Sequence, residues 1–510
     1  MTKATTLSRR DFLRYAVAGL SVTAAGTLIN GLTACSAPSL ASHNDHALGL
    51  TGDTDAAPDI ELDLYAAPDE VQIRPGSPTR VRRYRAEVRS GRPDAVLPID
   101  DSYLGPILQF RKGERIRIHF HNELDEPSIV HWHGLHVPEE ADGHPHLAIG
   151  PGETYVYDFQ ILNRAGTYWY HPHPHGRTGP QVLYGMAGLL LVTDDEENGL
   201  GLPGGPFDVP LVIQDRTFTG DNQFSYLEDG RQSPMIGFLG DEVLINGQPD
   251  FTLPVATRPY RLRLLNGSNA RIYKLGWSDG RPFQVIATDG GLLERPVMRS
   301  YLTVAPGERV ELWADFTQDE VGSELTLQNL AFTGSKAFPI MNVQVTQEDS
   351  ADATLPEVLS APGFYVESEA HNRRRPRTFT MEMQHMSWLL NGRTYEMDAV
   401  ARNEIVRLGD LEVWEFVNQS RHMAMPHPMH VHEVQFQVIE REVLPAFAAQ
   451  SQELNQGYVD EGWKDTFLLM PGERAKILVK FDHFAGLYLY HCHNLEHEDR
   501  GMMRNYRIKA

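Results

Sequence analysis

The sequence predicts an all-β protein built from three β-sandwich domains. Three observations carry that expectation. First, Pro-Gly-Glu recurs at 151–153, 306–308 and 471–473, so successive copies stand 155 and 165 residues apart, about one domain length each. Second, each copy opens a run of alternating apolar and polar residues, at 154–159, 309–313 and 474–479. Alternation puts successive side chains on opposite faces and marks a half-buried strand. Third, an earlier alternating run in each unit ends on asparagine, at Asn122, Asn266 and Asn418. Short alternating runs between Gly, Pro, Asn and Asp turns, with few helical periods, indicate sandwiches. A chain of 510 residues accommodates three such domains.

Taken in order, the chain opens with Ser8-Arg9-Arg10-Asp11-Phe12-Leu13-Arg14, followed by an apolar, uncharged run over 15–29. That order is the order of an export signal. The segment resembles a twin-arginine signal, whose machinery carries folded proteins. The run is short for a membrane span and rich in Ala, Gly and Thr. Leu32-Thr33-Ala34-Cys35 resembles a bacterial lipobox, in which Cys35 would become the lipidated first residue. The expectation is a signal over 1–35 and export to the periplasm or cell envelope, with Cys35 as a lipid anchor. Residues 36–56, rich in Ser, Ala, Asp and Gly, read as a flexible tether. The three domains are expected at 57–195, 203–347 and 375–510. Acidic, Gly-rich sequence near 193–206 and acidic, then Arg-rich, sequence near 346–377 separate them.

The composition is that of a globular protein, with a net charge of −22. That charge disfavours nucleic acid and anionic membrane surfaces as partners. A monomer is expected. The only cysteines, Cys35 and Cys492, sit in contexts that give them different tasks, so no disulfide is expected.

The chemistry lies in the histidines. Four His-x-His pairs occur: 131/133, 171/173, 430/432 and 491/493. On a strand, each pair presents two imidazoles on one face. In His491-Cys492-His493 the thiol points the other way, so one strand can touch two metal sites. The last pair belongs to Gly486-x-Tyr-x-Tyr-His-x-His, fifteen residues after Pro471. The same pattern starts at Gly166, fifteen residues after Pro151, with Pro172 in the place of Cys492. The middle unit has no histidine there, at 322–329, and is expected to act as a spacer. His427 precedes its pair by three residues and can reach the Cys492 side. One Cys, two His and a weak axial Met are the ligands of a blue-copper centre, and eight further imidazoles suit a cluster of copper ions.

The blocks His131-Trp132-His133-Gly134, His171-Pro172-His173, His427-Pro428-Met429-His430-Val431-His432 and 491–502 resemble, in order, those of the multicopper oxidases. The resemblance spans the chain after its signal and implies three cupredoxin-like Greek-key domains. It implies four coppers per chain. The type 1 ion would be held by His427, Cys492, His497 and Met502, and the type 2 ion by His131 and His430. The type 3 pair would be held by His133, His171, His173, His432, His491 and His493. Cys492 would pass electrons from a reductant to the cluster, where O₂ becomes water. Asp142 and Glu498 become candidates for proton delivery, and Asp499 is expected to be structural. Met502 as axial ligand implies a low-to-middling type 1 potential.

The other histidines carry ordinary expectations. His119 and His121 lie on an alternating strand and are not expected to ligate. His136, His144 and His146 fall in a loop, and His175 is expected to play a supporting or structural part. For the reductant, a laccase-like reading (phenols, aromatic amines) stands first and oxidation of Cu(I) or another low-valent metal ion second. The chain lacks a long Met-rich insert, and no acid stands in Met423-Ala424-Met425-Pro426. Local thioethers at Met381, Met383, Met386, Met423, Met425 and Met429 keep the second reading open. A non-enzymatic scaffold of this fold would lack the copper ligands, and against a copper store the separated Cys492 site argues for electron flow.

Overall fold

The computed structural model describes residues 57–227, 233–349, 353–418 and 425–510. The export segment, the tether, Cys35, Met423 and Ala424 lie outside the described residues. Among the described residues the strands form six sheets, two each from residues 60–193, 208–347 and 377–509.

The repeated sequence signals mark one topology used three times. In each unit the opening strand pairs in parallel with the strand that ends on asparagine. Thus Ile60–Val71 lies beside Arg115–Asn122, Asp208–Arg216 beside Pro259–Asn266, and Arg377–Gln384 beside Leu411–Asn418. The asparagine-ended strand then pairs antiparallel with the strand that follows Pro-Gly-Glu. Parallel neighbours cannot be joined by a hairpin, so each of these pairs needs a long connection.

The triplet recurs because its residues tie these strands together. Gly152, Gly307 and Gly472 have φ of +77°, +86° and +70°, a turn conformation that glycine adopts without a Cβ penalty. Their N–H groups donate to the carbonyls of Asn122, Asn266 and Asn418 at 2.7, 2.9 and 3.1 Å. The carboxylates of Glu153, Glu308 and Glu473 accept from the N–H three residues upstream at 2.6–2.7 Å. The asparagine side chains bind the turns from the other side, as Asn122 Nδ2 does by donating to Ile149 O at 3.0 Å.

Each sandwich encloses its own apolar core. In the first unit Leu62, Leu64, Ile116, Ile118, Trp132 and Tyr157 are buried together. In the third, Phe379, Trp414, Phe416 and Tyr490 surround Cys492 and Met502. Large side chains of this kind contribute roughly 1.5–3 kcal/mol each on burial. The middle unit's strands Tyr273–Trp277 and Glu324–Asn329 pair with each other, as the histidine strands do in units one and three. They put Leu275 and Leu327 into an apolar core instead of imidazoles.

The first and middle units are joined by buried charge. Glu311 accepts from Arg261 Nε at 2.7 Å, Arg263 Nη1 at 2.9 Å and Thr167 Oγ1 at 2.7 Å. Thr167 belongs to the strand Gly166–Pro172, which carries His171. Burial would raise the Glu311 carboxyl, but the two guanidiniums outweigh it and hold the group below the usual carboxylate range. Glu311→Gln should therefore destabilise the protein by about 3–5 kcal/mol at neutral pH, the cost of removing one partner from a buried ion cluster. A depressed carboxyl contributes stability above the ordinary carboxylate range and loses it as pH falls through the depressed value. Denaturant titrations should show a shallower acid decline in the variant; equal stability of the two proteins at neutral pH would refute the clamp.

Candidate metal centres

Four strands carry the paired histidines, in equivalent registers. Val130–His133 runs antiparallel to Gly166–Pro172, placing His131 opposite His171. His427–Val431 runs antiparallel to Gly486–Cys492, placing His430 opposite His491. The two copies meet face to face. His131 stacks on His432 with centroids 3.7 Å apart, and His133 stacks on His430 at the same separation. Nε2 of His131 and Nε2 of His430 lie 3.3 Å apart.

Exchanging the first and third units swaps these contacts among themselves, so the cluster has an approximate two-fold axis between His131 and His430. His173, His432 and His491 form a triad on one side, with Nε2 of His491 lying 3.1 Å from His432 Nε2 and 3.4 Å from His173 Nε2. The axis relates it to His133, His171 and His493, whose ring centroids lie 5.0–5.6 Å apart. The arrangement is two imidazoles on an axis and two triads beside it. Trp169 covers the second triad, with its ring 4.3 Å from that of His171.

All eight imidazoles are buried, none more than 1% exposed. Burial first, and neighbouring imidazoles next, push His131, His133, His430, His432 and His493 well below the ordinary histidine range. Burial also lowers His171 to about 3 and His173 to about 4. Neutral imidazole is the form that binds a metal ion.

The protein holds one nitrogen of most rings and leaves the other open. His131 Nδ1 donates to Asp142 O at 2.6 Å, His430 Nδ1 to Asp465 O at 2.8 Å and His171 Nδ1 to Pro172 O at 2.9 Å. A carbonyl oxygen only accepts, so the proton sits on that nitrogen and the lone pair on the opposite one. His432 Nδ1 meets Asp142 Oδ2 at 2.8 Å, and His133 Nε2 meets Asp465 Oδ1 at 2.9 Å. His171 Nε2, His133 Nδ1, His173 Nδ1 and both nitrogens of His493 are buried without a hydrogen-bond partner.

Cys492 points to the other face of its strand, as alternation requires. Its Sγ lies 3.4 Å from His427 Nδ1 and 3.6 Å from His497 Nδ1. His497 reaches this side because the chain turns into the short helix Leu495–Asp499, which Asn494 caps by accepting from His497 N–H. The next residue, Glu498, consequently points to the histidine cluster, with Oε2 3.2 Å from His491 Nδ1 and Oε1 3.6 Å from His173 Nε2. Met502 is fully buried beside Cys492, whose N–H donates to Met502 O at 3.1 Å. Burial pushes the Cys492 thiol up. A bound metal ion reverses that by taking the thiolate directly.

The sequence matches the multicopper oxidase family over residues 80–197 and again over residues 369–510. It is 32% identical over 434 residues to a Staphylococcus aureus multicopper oxidase, covering 84% of this chain and 87% of that protein. The chain belongs to the multicopper oxidases. It is 33% identical to a laccase from Bacillus stratosphericus, covering 81% of this chain and 90% of the laccase. The crystal structure of McoA multicopper oxidase from Aquifex aeolicus superposes with a TM-score of 0.76 at 35% identity. That match covers 89% of this chain and 97% of the other. The three sandwiches are cupredoxin-like domains, and multicopper oxidases use four copper ions, of types 1, 2 and 3.

The residues of this oxidase suit copper. Soft thiolate with imidazole on one side, and imidazole alone on the other, are donor sets that copper favours. The partnerless nitrogens His171 Nε2 and His133 Nδ1, each opposite a nitrogen that donates, are buried lone pairs, which are costly unless a cation takes them.

The structure brings His427, Cys492 and His497 to one point and the eight other imidazoles to another. Both acids singled out from the sequence are buried at the cluster, Asp142 at 0% and Glu498 at 2% exposure. Asp142 sits under the stacked His131/His432 pair, and burial raises its carboxyl well above the usual range. Gly143 makes this possible: a Cβ there would lie 2.2 Å from Val130 O, and its φ is +81°. Burial would raise the Glu498 carboxyl too, but His491 and His173 outweigh it and hold it low. Asp499 accepts from Thr178 N–H and Gly179 N–H at 2.9 and 2.8 Å, a structural task.

The remaining histidines lie elsewhere. His119 pairs with Glu61 and His121 with Asp63 on an outer sheet. His136 stacks on His483, His144 contacts Asn505, and His146 lies against His144. His175 packs against Tyr395. Three functional neighbours escaped the sequence reading: Asp465, Trp388 and Met235. Trp388 lies over His427 and His497 at 4.7 and 5.0 Å, and its Nε1 donates to Met235 O. That same carbonyl accepts from His497 Nε2 at 2.9 Å. No periodicity marks these residues, because each comes from a different segment.

Removal of copper should lower the melting temperature, since the folded state alone binds the ions and each site adds RT ln(1 + [L]/Kd). Calorimetry of copper-loaded and chelated protein checks this, and identical melting curves would rule out the buried histidines as a metal site.

Proposed function

We propose that this multicopper oxidase takes electrons from small aromatic reductants (phenols and aromatic amines) at a type 1 site and uses them to reduce O₂ to water. The observation that carries the reading is Cys492. Its Sγ meets His427 and His497, while its neighbours His491 and His493 belong to the cluster on the opposite face. One strand thus joins an electron inlet to an O₂ site.

In this proposal His427, Cys492, His497 and Met502 hold the type 1 copper. His131 and His430, the pair on the axis, hold the type 2 ion. The two triads, His173/His432/His491 and His133/His171/His493, hold the type 3 pair. Bound copper supplies the one-electron chemistry that couples oxidation of a reductant to reduction of O₂. Cys492 serves as the conduit, because only backbone separates it from His491 and His493. Asp142 and Glu498 deliver protons: Asp142 Oδ2 touches His432 and its Oδ1 makes no hydrogen bond, while Glu498 reaches both His491 and His173. Trp388 and Met235 keep water from the inlet, where His427 and His497 are fully buried. Electrons therefore enter through this cover and not by contact with an imidazole.

Oxidation of Cu(I) is the second reading. Exposed Met386 and half-buried Met383 and Met425 support it, since thioethers suit Cu(I). Met381 and Met429 do not, because both are fully buried in the core around Cys492 and act as packing. Export through the twin-arginine route, with Cys35 as a lipid anchor, completes the proposal and rests on the sequence of residues 8–35.

Cys492→Ser should abolish the blue absorption and oxidase turnover together, while copper remains at the histidine cluster; retained turnover would remove the conduit role. In O₂-uptake assays, phenol oxidation should proceed without added Cu(II). Turnover that appears only with excess copper would give the second reading the advantage.

A further inference from the structure

The middle unit contributes no histidine to the cluster, yet it reaches the cluster at two points. Its Pro-Gly-Glu turn touches the imidazoles directly: a Cβ on Gly307 would lie 3.1 Å from the His493 ring and 3.3 Å from His133 Cε1. Two residues on, Arg309 is fully buried. Its Nη1 donates to Asp465 Oδ1 at 2.7 Å and its Nη2 to Asp465 Oδ2. Its Nε donates to Thr167 O at 3.0 Å, on the strand that carries His171.

Asp465 in turn holds two imidazoles. Its Oδ1 accepts from His133 Nε2 at 2.9 Å, and its backbone carbonyl accepts from His430 Nδ1 at 2.8 Å. These are the two rings of one stacked pair. Across the two-fold axis, Asp142 does the same for the other pair, through its carbonyl to His131 and its carboxylate to His432. The symmetry ends there. Asp142 Oδ1 makes no hydrogen bond and lies 3.6 Å from His131 Nδ1, whereas both oxygens of Asp465 are gripped by Arg309.

We propose that Arg309 is a positioning residue of the oxidase, acting through Asp465 to fix which nitrogen of His133 faces the centre of the cluster. With Nε2 of His133 committed to Asp465, Nδ1 is left as the donor, and Nδ1 is the buried nitrogen without a partner. Asp289 steadies the pair from the same unit. Its carboxylate accepts from Arg309 N–H at 2.8 Å, Asp465 N–H at 3.3 Å and Thr466 N–H at 3.4 Å. Lys464 Nζ lies 3.1 Å from Asp289 and neutralises the surplus acid. A monodentate cation cannot grip both carboxylate oxygens in this planar way, which is why arginine stands here. The expected role of the middle unit as a spacer is thus too weak: it sets the orientation of rings that belong to its neighbours. The two aspartates divide the work, one held in place and one left open at an oxygen.

This inference rests on the copper assignment above. The test compares wild type with Asp465→Asn, Arg309→Met and Arg309→Lys, each loaded with copper. Wild type should be blue and hold about four coppers per chain, the family's complement; if it does not, the copper assignment fails and not this one. Asp465→Asn and Arg309→Met should keep the blue absorption of the Cys492 site. They should hold copper at the histidine cluster about 10–100-fold more weakly, the usual effect of losing an outer-shell partner. The near-ultraviolet absorption of the type 3 pair, to which His133 belongs, should weaken, and Arg309→Lys should restore it in part. Wild-type copper affinity with an unaltered type 3 absorption in both variants would overturn the proposal. Loss of the blue absorption along with the folded circular-dichroism spectrum in both would overturn it as well, by assigning the pair to general folding.

Discussion

The stacking of His131 on His432 and of His133 on His430 is the contact on which the molecule depends. It gathers rings from the first and third units into one fully buried cluster. Burying eight imidazoles there is unfavourable unless they stay neutral and their nitrogens are used. The protein meets this by committing one nitrogen of most rings to a carbonyl or carboxylate and leaving the other for a cation. The placing of the acids at the cluster and its fitness for metal ions follow from that division.

A repeated domain makes the arrangement economical. Equivalent registers, His131 opposite His171 and His430 opposite His491, bring two similar half-sites together around an approximate axis. Function then comes from departures from symmetry. Cys492 stands where the first unit has Pro172, and it turns one of four histidine strands into a link between two sites. Asp142 and Asp465 occupy matching places, but only Asp465 has a guanidinium. The middle unit has apolar side chains where its neighbours have histidines, and its turn forms part of the wall around the cluster.

Much of this was legible in the linear order of residues. Pro-Gly-Glu and the strand-ending asparagines announced the three units, because each triplet makes the same local hydrogen bonds in every copy. The alternation in His491-Cys492-His493 told which side each ligand faces, because strand geometry is local. Asp142 and Glu498 were marked as acids for the cluster only by resemblance, and the imidazoles they face came from the structure. Glu498 reaches the cluster because it lies one step on from His497 in an Asn-capped helical turn, a detail of a few residues that strand periodicity does not describe.

The sequence by itself determined the three-fold repeat, the faces of the ligand strands and the donor types at each site, since all of these depend on residues close together along the chain. Only the tertiary structure decided how the six cluster histidines outside the axial pair divide into two triads, and that Arg309 holds Asp465 beneath His133 and His430. It also decided that Trp388 lies over His427 and His497 and that Met235 holds His497. Those facts depend on residues from different units meeting, 156 positions apart for Arg309 and Asp465 and 153 for Met235 and Trp388. No local pattern encodes such meetings, because they are set by how three finished sandwiches pack against one another.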